Sequence, residues 1–196
     1  MALGSLQPHV TIIGAGAMGC LFAARLAEQG SLVTLVDVDE VRLAAIARDG
    51  IMLTDDGGAR PVRVAVATAA KATPPVDLLL LFTKGVHSAA AIRSVAHLAG
   101  AAPVALTLQN GIGNAELLAA SFGADRVLIG TAHVPADLSG AASVTTHGFG
   151  FVELGGFAPR PPICSSAPVS ALVSPMMSTQ PSGKRSLSTR RSTQWR

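Results

Sequence analysis

Aromatic residues and cysteine are scarce in this sequence, which contains no tyrosine, one tryptophan and two cysteines. So few aromatic side chains argue against a recognition surface built on stacked rings. Cys20 falls in the first turn of a predicted helix and is interpreted as a small packing residue. Neither Cys20 nor Cys164 has the spacing of a metal site or a disulfide framework. We therefore expect no metal ion and a reducing compartment, the cytoplasm.

Long apolar runs are missing as well. The longest of them, such as residues 76–82, are too short to cross a bilayer. The first nine residues have neither the basic segment nor the long apolar segment of a signal peptide. We therefore expect no membrane partner. Because 49% of the residues are hydrophobic, the chain can bury a sizeable core.

Acidic residues do not occur after position 157, and this uneven charge explains the basic isoelectric point. The whole chain has a net charge of +3, but six of its 15 basic residues lie in residues 158–196, which leaves residues 1–157 at −3. Residues 158–196 also contain six prolines and nine serines. This composition predicts a domain over residues 1–157 followed by a disordered low-complexity tail. Without interleaved aromatic residues or a known binding fold, we expect no nucleic-acid partner.

The most informative pattern is HVTIIGAGAMG at residues 9–19. Its β-branched run is typical of a buried parallel strand, and a helical pattern follows from about Ala17 to Gln29. Between them a G-x-G-x-x-G motif predicts a site for the pyrophosphate of a dinucleotide, formed by Gly14, Ala15, Gly16, Ala17, Met18 and Gly19.

Each glycine of the motif has its own predicted role. Gly14 permits the tight turn, Gly16 lets the backbone approach the pyrophosphate, and Gly19 lets helix and strand pack closely. A second predicted strand, residues 32–36, ends on Asp37, near the position of a ribose-binding acid. The alternative interpretation is an ordinary strand–turn–helix without a ligand.

Strands and helices continue to alternate along the chain, which predicts an α/β fold with a Rossmann-like, doubly wound parallel sheet. Further strands are predicted at residues 76–82, 103–108 and 126–129, and further helices at residues 86–98 and 115–121, with Asn114 as a possible cap. Residues 51–53 and 62–66 predict an inserted hairpin. Residues 143–146 and 150–154 predict an antiparallel pair that closes the edge of the sheet.

Polar residues follow two further strands, as Thr83-Lys84 and Gln109-Asn110-Gly111. Ligands of open α/β sheets bind at the carboxyl ends of the strands. Lys84 can offer a cation or a proton near a polarised carbonyl, and Asn110 can hydrogen-bond to a ribose or a substrate hydroxyl. Position alone leaves a solvated loop lysine and a turn-forming asparagine equally open.

The motifs IIGAGAMG, LFTKG, LTLQNGIGN and GTAHVPA, with a later HGFGFVELGG, resemble the ketopantoate reductase (2-dehydropantoate 2-reductase) family over residues 9–156. The resemblance implies an N-terminal dinucleotide-binding domain and a helical second domain, with the active site between them. It also implies hydride transfer from NADPH to the ketone of ketopantoate, which yields pantoate for coenzyme A synthesis.

On this resemblance, residues 14–19 hold the pyrophosphate and Lys84 lines the cleft for cofactor and substrate. Asn110 contacts the nicotinamide ribose and the substrate, and Ala136 contacts the cofactor. Neither motif nor spacing supports an acid–base role for His133, which we expect in the core or in a loop.

Two departures from the family pattern matter. Where NADPH-using members carry an arginine, this chain has Asp37, whose carboxylate suits the 2′-hydroxyl of NADH and repels a 2′-phosphate. Arg42 can still fold back to a phosphate, which leaves the cofactor preference open. The resemblance implies NADP(H), whereas Asp37 favours NAD(H). The second departure concerns the general acid. The resemblance implies a general-acid lysine in the helical domain, and Lys184 does not lie in the motif that surrounds that lysine.

We therefore expect a truncated or frame-changed reductase that binds cofactor but turns over ketopantoate poorly. The alternatives are a non-catalytic NAD(P)-binding module and a related 2-hydroxy-acid dehydrogenase. The catalytic acid and the oligomeric state stay open.

Overall fold

The computed structural model describes residues 7–148 and 150–157. The predicted tail, residues 158–196, lies outside the described residues, so the domain boundary at residue 157 stays a prediction. No helix among the described residues has the length and apolar character needed to cross a membrane. In chain order the elements are β1 (His9–Ile13), α1 (Ala17–Glu28), β2 (Leu32–Val36), α2 (Glu40–Asp49), β3 (Ile51–Asp55), β4 (Gly58–Val62), β5 (Ala65–Ala67), β6 (Leu78–Leu81), α3 (Gly85–Ser94), β7 (Val104–Thr107), α4 (Asn114–Phe122), β8 (Val127–His133), β9 (Asp137–Ser139), β10 (Ser143–Thr145) and β11 (Phe151–Gly156).

The main sheet has seven strands in the order β11–β8–β7–β6–β1–β2–β5. All neighbours are parallel except β11, which runs antiparallel to β8 at one edge. From β1 the chain passes to β2 and β5 on one side, then crosses back to β6, β7 and β8 on the other. The predicted Rossmann-like sheet with an antiparallel edge is therefore confirmed, and its topological switch point lies between β1 and β6.

The leucine run of β6 explains how the layers hold together. All four residues are buried, and alternate side chains point to opposite faces of the sheet. Leu78 and Leu80 join the core cluster that contains α1, whereas Leu79 and Leu81 join the cluster on the side of α3 and α4. Burying one leucine side chain stabilises the fold by roughly 1.5–3 kcal/mol. A strand covered on both faces needs apolar residues at every position, which is why this run is continuous.

The inserted hairpin differs from the predicted one. Its second strand is β4, which pairs antiparallel with β3, whereas β5 leaves the hairpin and pairs parallel with β2. The prediction of one strand over residues 62–66 is therefore wrong. The alternation of Val62, Val64 and Val66 keeps a period of two from β4 into β5. It therefore could not reveal that the chain changes sheets between these two strands.

The predicted antiparallel pair near the end of the domain is also wrong. β10 pairs parallel with β3 and antiparallel with β9 in a second, four-stranded sheet ordered β4–β3–β10–β9. β11 instead pairs with β8 and supplies the antiparallel edge of the main sheet. Short alternating segments do not specify their partner strand, because partner choice depends on contacts distant in sequence.

Two helix boundaries need correction as well. The helix predicted over residues 86–98 is α3, which ends at Ser94 and is followed by a 3-10 helix at Ala96–Ala101. Asn114 is the first residue of α4 and not its cap; the capping position is Gly113, at φ +96°. The Asn114 side chain instead donates to the Asn110 carbonyl, 3.4 Å away.

Charged residues fasten the hairpin to α1. Asp55 lies 2.7 Å from the Arg25 guanidinium and 2.8 Å from that of Arg60, and Arg60 also contacts Glu28 at 2.5 Å. The hydrogen-bonded Arg60 guanidinium holds the pKa of the Asp55 carboxyl well below its usual range. This hairpin cluster, Arg25, Glu28, Asp55 and Arg60, fixes the small sheet against the end of α1 that lies away from the glycine-rich loop.

Candidate functional site

The candidate site lies at the carboxyl edge of the main sheet, around the switch point. Because β1, β2, β6 and β7 are parallel, the segments that follow them all emerge at this edge. These segments are the glycine-rich loop after β1, Asp37 after β2, Thr83-Lys84 after β6 and Gln109-Asn110 after β7. The structure thus brings together the polar segments that the sequence places at separate strand ends.

The glycine-rich loop has the geometry that its glycines predict. Gly14 adopts φ +106°, and a Cβ there would lie 2.9 Å from the Phe82 carbonyl carbon. A Cβ on Gly19 would lie 1.8 Å from the Gly14 carbonyl oxygen. Side chains are therefore excluded at both positions, and α1 packs directly on the turn that leaves β1.

Gly16 is different, because a Cβ there would meet nothing within 4 Å. It is the N-cap residue of α1 and has no side chain to cap the helix, and the first turn of α1 carries no acidic residue. The first N–H groups of a helix have no partner within the helix, and its N-terminus has a positive electrostatic potential. This exposed, open helix end fits the pyrophosphate of a dinucleotide.

Asp37 is held by backbone groups from two segments. Its Oδ2 accepts from the Ala15 N–H at 2.5 Å, and its Oδ1 accepts from the N–H groups of Val38 at 2.7 Å and Asp39 at 3.0 Å. The carboxylate is thereby fixed at the end of β2 and tied to the glycine-rich loop. Sequence reasoning proposed a ribose contact for Asp37 and missed this link, which joins residues 22 positions apart.

Arg42, the alternative phosphate ligand, is engaged elsewhere. Its guanidinium donates to the Ala141 carbonyl at 3.1 Å and lies 3.5 Å from the Asp39 carboxylate. Asp39 in turn caps α2 by accepting from the Arg42 backbone N–H at 2.9 Å. In this arrangement Arg42 bridges α2 to the turn between β9 and β10.

Lys84 and Asn110, the proposed substrate contacts, are both exposed at this edge. Lys84 is the N-cap residue of α3, and its carbonyl accepts from the His87 N–H at 2.8 Å. Gln109 fills the space between their two segments. Its Nε2 donates to the Thr83 carbonyl and to the Ser88 hydroxyl. The sequence analysis named Gln109 only as part of a polar segment and did not predict that it joins the two segments. Its position next to Asn110, just beyond a buried strand, was the signal that could have indicated this role.

Three branched apolar side chains also stand in solvent along this edge. Val38 is 91% exposed, Val86 86% and Ile112 100%. Each follows a candidate contact residue by one or two positions, namely Asp37, Lys84 or Asn110. Single exposed apolar residues are ordinary. Three on one sheet edge provide apolar surface beside the polar contact groups, as ligand sites do.

The other three residues singled out in the sequence lie as follows. Ala136 is half-buried between β8 and β9 and packs against the core cluster on the α1 side. His133 ends β8, is exposed and stacks on Phe151 at 4.5 Å between ring centroids, so the prediction of a core or loop histidine is wrong. Cys20 is fully buried as expected, its thiol donates to the Ala15 carbonyl at 3.4 Å, and burial raises its pKa to about 11.

Comparison with known proteins gives a consistent result. The family model described as ketopantoate reductase PanE/ApbA matches residues 10–159. A 2-dehydropantoate 2-reductase of Halobacterium salinarum is 35% identical over 148 residues, which are 75% of this chain and 44% of that protein. One from Streptococcus pyogenes is 28% identical and covers 74% of this chain and 47% of its own length. The chain thus spans about half the length of the curated relatives it matches.

Solved structures agree in fold. The ternary structure of D-mandelate dehydrogenase with NADH and anilino(oxo)acetate aligns with a TM-score of 0.78 at 25% identity, over 85% of this chain and 54% of that one. The 2-dehydropantoate 2-reductase of Geobacter metallireducens aligns with a TM-score of 0.72 at 29% identity, with the same coverage of both chains. On the extent of the family match, this chain belongs to the ketopantoate reductase family, whose dinucleotide-binding sheet it forms.

Proposed function

We propose that this chain binds NAD(P)H at the carboxyl edge of its main sheet and supplies the cofactor side of a 2-keto acid reductase. The observation that carries the proposal is the open end of α1 at Gly16, where a Cβ would meet nothing within 4 Å. Family membership gives the reaction class. The relatives named 2-dehydropantoate 2-reductase make ketopantoate the first substrate to test.

The chain's own groups would divide the cofactor among them. The backbone N–H groups of residues 16–18 would bind the pyrophosphate, and Asp37 would accept hydrogen bonds from the adenosine ribose. Ala136 would approach the cofactor from the segment after β8. Bound NAD(P)H supplies a hydride to the carbonyl carbon of the keto acid. Lys84 would attract the carboxylate or polarise the ketone, and Asn110 would orient the nicotinamide ribose and the substrate.

We further propose that NADH binds more tightly than NADPH. Three backbone N–H groups fix Asp37 at the end of β2, and a 2′-phosphate on a ribose bound by Asp37 would lie beside this carboxylate. Its negative charge would repel the phosphate. Arg42 would have to leave both the Ala141 carbonyl and the Asp39 carboxylate before it could neutralise that phosphate.

We expect the 196-residue chain to reduce ketopantoate slowly or not at all. Hydride transfer needs the ketone held against the nicotinamide, with a proton donor in hydrogen-bond reach of its oxygen. Lys84 and Asn110 are both exposed to water. A positioned general acid contributes about 10²–10⁴-fold to the rate. The assay is loss of NADH absorbance with ketopantoate; fast turnover would make Lys84 the first candidate for the acid.

A related 2-hydroxy-acid dehydrogenase is the second candidate function. It is favoured by the alignment with D-mandelate dehydrogenase, which was solved in complex with NADH. The keto acid that corresponds to mandelate should be compared with ketopantoate in the same absorbance assay. A non-catalytic cofactor-binding module would bind NADH and reduce neither acid, even when a helical family domain is joined after Gly156.

The test of cofactor binding is calorimetry with NADH and NADPH on the 196-residue chain and on Gly16→Val. Because a Cβ added at Gly16 would point into open space, the variant should fold while its side chain obstructs the pyrophosphate, and affinity should fall at least about tenfold. Gly100→Val is the matched control, since its Cβ also meets nothing within 4 Å and it precedes β7, at the opposite edge. Equal binding by Gly16→Val and the unmodified chain would refute the site.

A further inference from the structure

Gln109 is half-buried and lies in a partly buried polar cluster at the carboxyl edge of the main sheet. We call Thr83, Ser88, Thr107 and Gln109 the strand-end cluster. Ser88 is fully buried and Thr107 is 4% exposed, although apolar residues would fill the same space. Buried polar groups destabilise a fold unless each finds a partner. Here Ser88 and Thr107 both have partners within the cluster, so the cluster can hold its members in fixed positions.

The hydrogen bonds of the strand-end cluster converge on the Gln109 amide. Its Oε1 accepts from the Thr107 hydroxyl at 3.0 Å, and its Nε2 donates to the Ser88 hydroxyl at 3.0 Å and to the Thr83 carbonyl. The Thr83 hydroxyl lies 3.3 Å from the same Nε2 and 3.3 Å from the Ser88 hydroxyl. Both ends of one planar amide are thus used, which fixes the side chain in position and orientation.

The bonds connect two segments that are 26 residues apart in sequence. Thr83 directly precedes Lys84, and Gln109 directly precedes Asn110. Lys84 and Asn110 themselves are exposed, and the hydrogen bonds that the structure describes for them are accepted by their backbone carbonyls. The two segments leave the paired strands β6 and β7, and beyond those strands the Gln109 side chain joins one segment to the other.

We propose that Gln109 is a positioning residue that sets the spacing of Lys84 and Asn110, so that both meet the nicotinamide half of the cofactor. This inference rests on the proposed cofactor site and goes beyond it. Gln109 itself touches neither cofactor nor substrate. It acts through the Thr83 carbonyl on one side and through its own backbone on the other.

The test compares ADP-ribose, which lacks the nicotinamide, with NADH on the 196-residue chain. Calorimetry gives both affinities, and the emission of bound NADH reports the surroundings of the nicotinamide. Gln109→Leu keeps the size of the side chain and removes its hydrogen bonds. We expect ADP-ribose affinity within about twofold of the unmodified chain, while the advantage of NADH over ADP-ribose falls about tenfold. If NADPH binds more tightly, the same comparison uses the 2′-phosphorylated pair.

A double variant separates positioning from stability. Gln109→Leu alone leaves the buried Ser88 hydroxyl without its amide partner, whereas adding Ser88→Ala removes that hydroxyl and should recover part of the lost stability. We expect the NADH advantage and the emission change to stay lost in the double variant. Gln29→Leu, at the exposed end of α1, is the control for a glutamine-to-leucine change.

Each outcome decides between the claims. Three results would overturn the positioning role. In Gln109→Leu these are an equal loss of affinity for ADP-ribose and NADH, or no change in either affinity. In the double variant it is recovery of the NADH advantage together with stability. Equal affinities of the unmodified chain for ADP-ribose and NADH would overturn it too, because the nicotinamide would then gain nothing from Lys84 and Asn110. Failure of the unmodified chain to bind either compound would instead refute the proposed function.

Discussion

The hairpin cluster and the carboxyl edge use the same kinds of side chain in opposite ways. In the hairpin cluster every charge faces another charge, and Asp55 and Glu28 each contact the guanidinium groups of both Arg25 and Arg60. At the carboxyl edge Asp37 is held by backbone N–H groups, and Lys84 stands exposed. Charges paired with one another stabilise the fold. A charge held by the backbone keeps its capacity to bind a ligand.

Changing Asp37 should produce the largest effect, and it should reach both cofactors. Asp37→Ala removes the acceptor for the Ala15 N–H, so the glycine-rich loop loses its link to β2. We expect NADH affinity to fall by about tenfold and NADPH affinity to fall less, so that the ratio moves toward NADPH because the repulsive charge is gone. Calorimetry with both cofactors checks this. A strong preference of the unmodified chain for NADPH would show that Asp37 does not select the ribose.

Asp37→Asn sharpens the same comparison. The amide keeps the shape of the side chain and can still accept from one of the two segments, so the loop should be disturbed less than in the alanine variant. If Asp37→Asn binds NADH as weakly as Asp37→Ala does, charge matters more than the link to Ala15.

Changing Asp55 should affect stability and leave cofactor binding intact. Asp55→Ala removes the carboxylate that joins Arg25 and Arg60, and its side chain is only 10% exposed. We expect a loss of about 1–2 kcal/mol in the free energy of unfolding, since the guanidinium groups stay partly solvated. NADH affinity should stay within about twofold, so a large loss of affinity would contradict the separation of the two regions.

The Asp55 effect should also depend on pH. The folded-state pKa of Asp55 is lowered, chiefly by its hydrogen bonds to Arg60. Its contribution to stability is then fully present above the unfolded-state pKa of about 3.9 and is lost as pH falls toward the folded-state pKa. The stability difference between the unmodified chain and Asp55→Asn should be constant above about pH 5 and shrink below about pH 4. Denaturant unfolding at several pH values measures it.

The smallest effect is expected at Cys20. Burial raises the pKa of this thiol to about 11, so it is protonated at neutral pH and should resist alkylation in the folded chain. Cys20→Ala should cost less than about 1 kcal/mol of stability, because it deletes one small buried atom and a weak donor. Mass spectrometry after brief alkylation and denaturant unfolding are the two measurements. Rapid alkylation of Cys20 would show that the glycine-rich loop opens.

The parts of the fold that follow from sequence are those fixed by local chemistry. The glycine-rich loop, the end of β2 at Asp37 and the buried leucine run of β6 each carry their pattern within a few residues. The errors concern pairing. Neither the exit of β5 from the hairpin nor the placement of β10 in the second sheet is encoded in the strand's own alternation, because each depends on partners far away in the chain.

The candidate site shows the same division. Gly16, Lys84 and Asn110 could be picked out because they follow strands in recognisable motifs. The link from Ala15 to Asp37 and the strand-end cluster around Gln109 could not, because both join segments more than 20 residues apart. Sequence therefore predicts the groups that face a ligand better than the contacts that hold those groups in place.

We propose that the carboxyl edge binds cofactor, whereas the hairpin cluster only stabilises the fold. Amide NMR spectra of the 196-residue chain, recorded as NADH is added, distinguish these two regions. We expect saturable shifts at Ala15, Gly16, Ala17 and Asp39, and none at Asp55 or Arg60. Shifts confined to the hairpin, or no shifts at millimolar NADH, would contradict it.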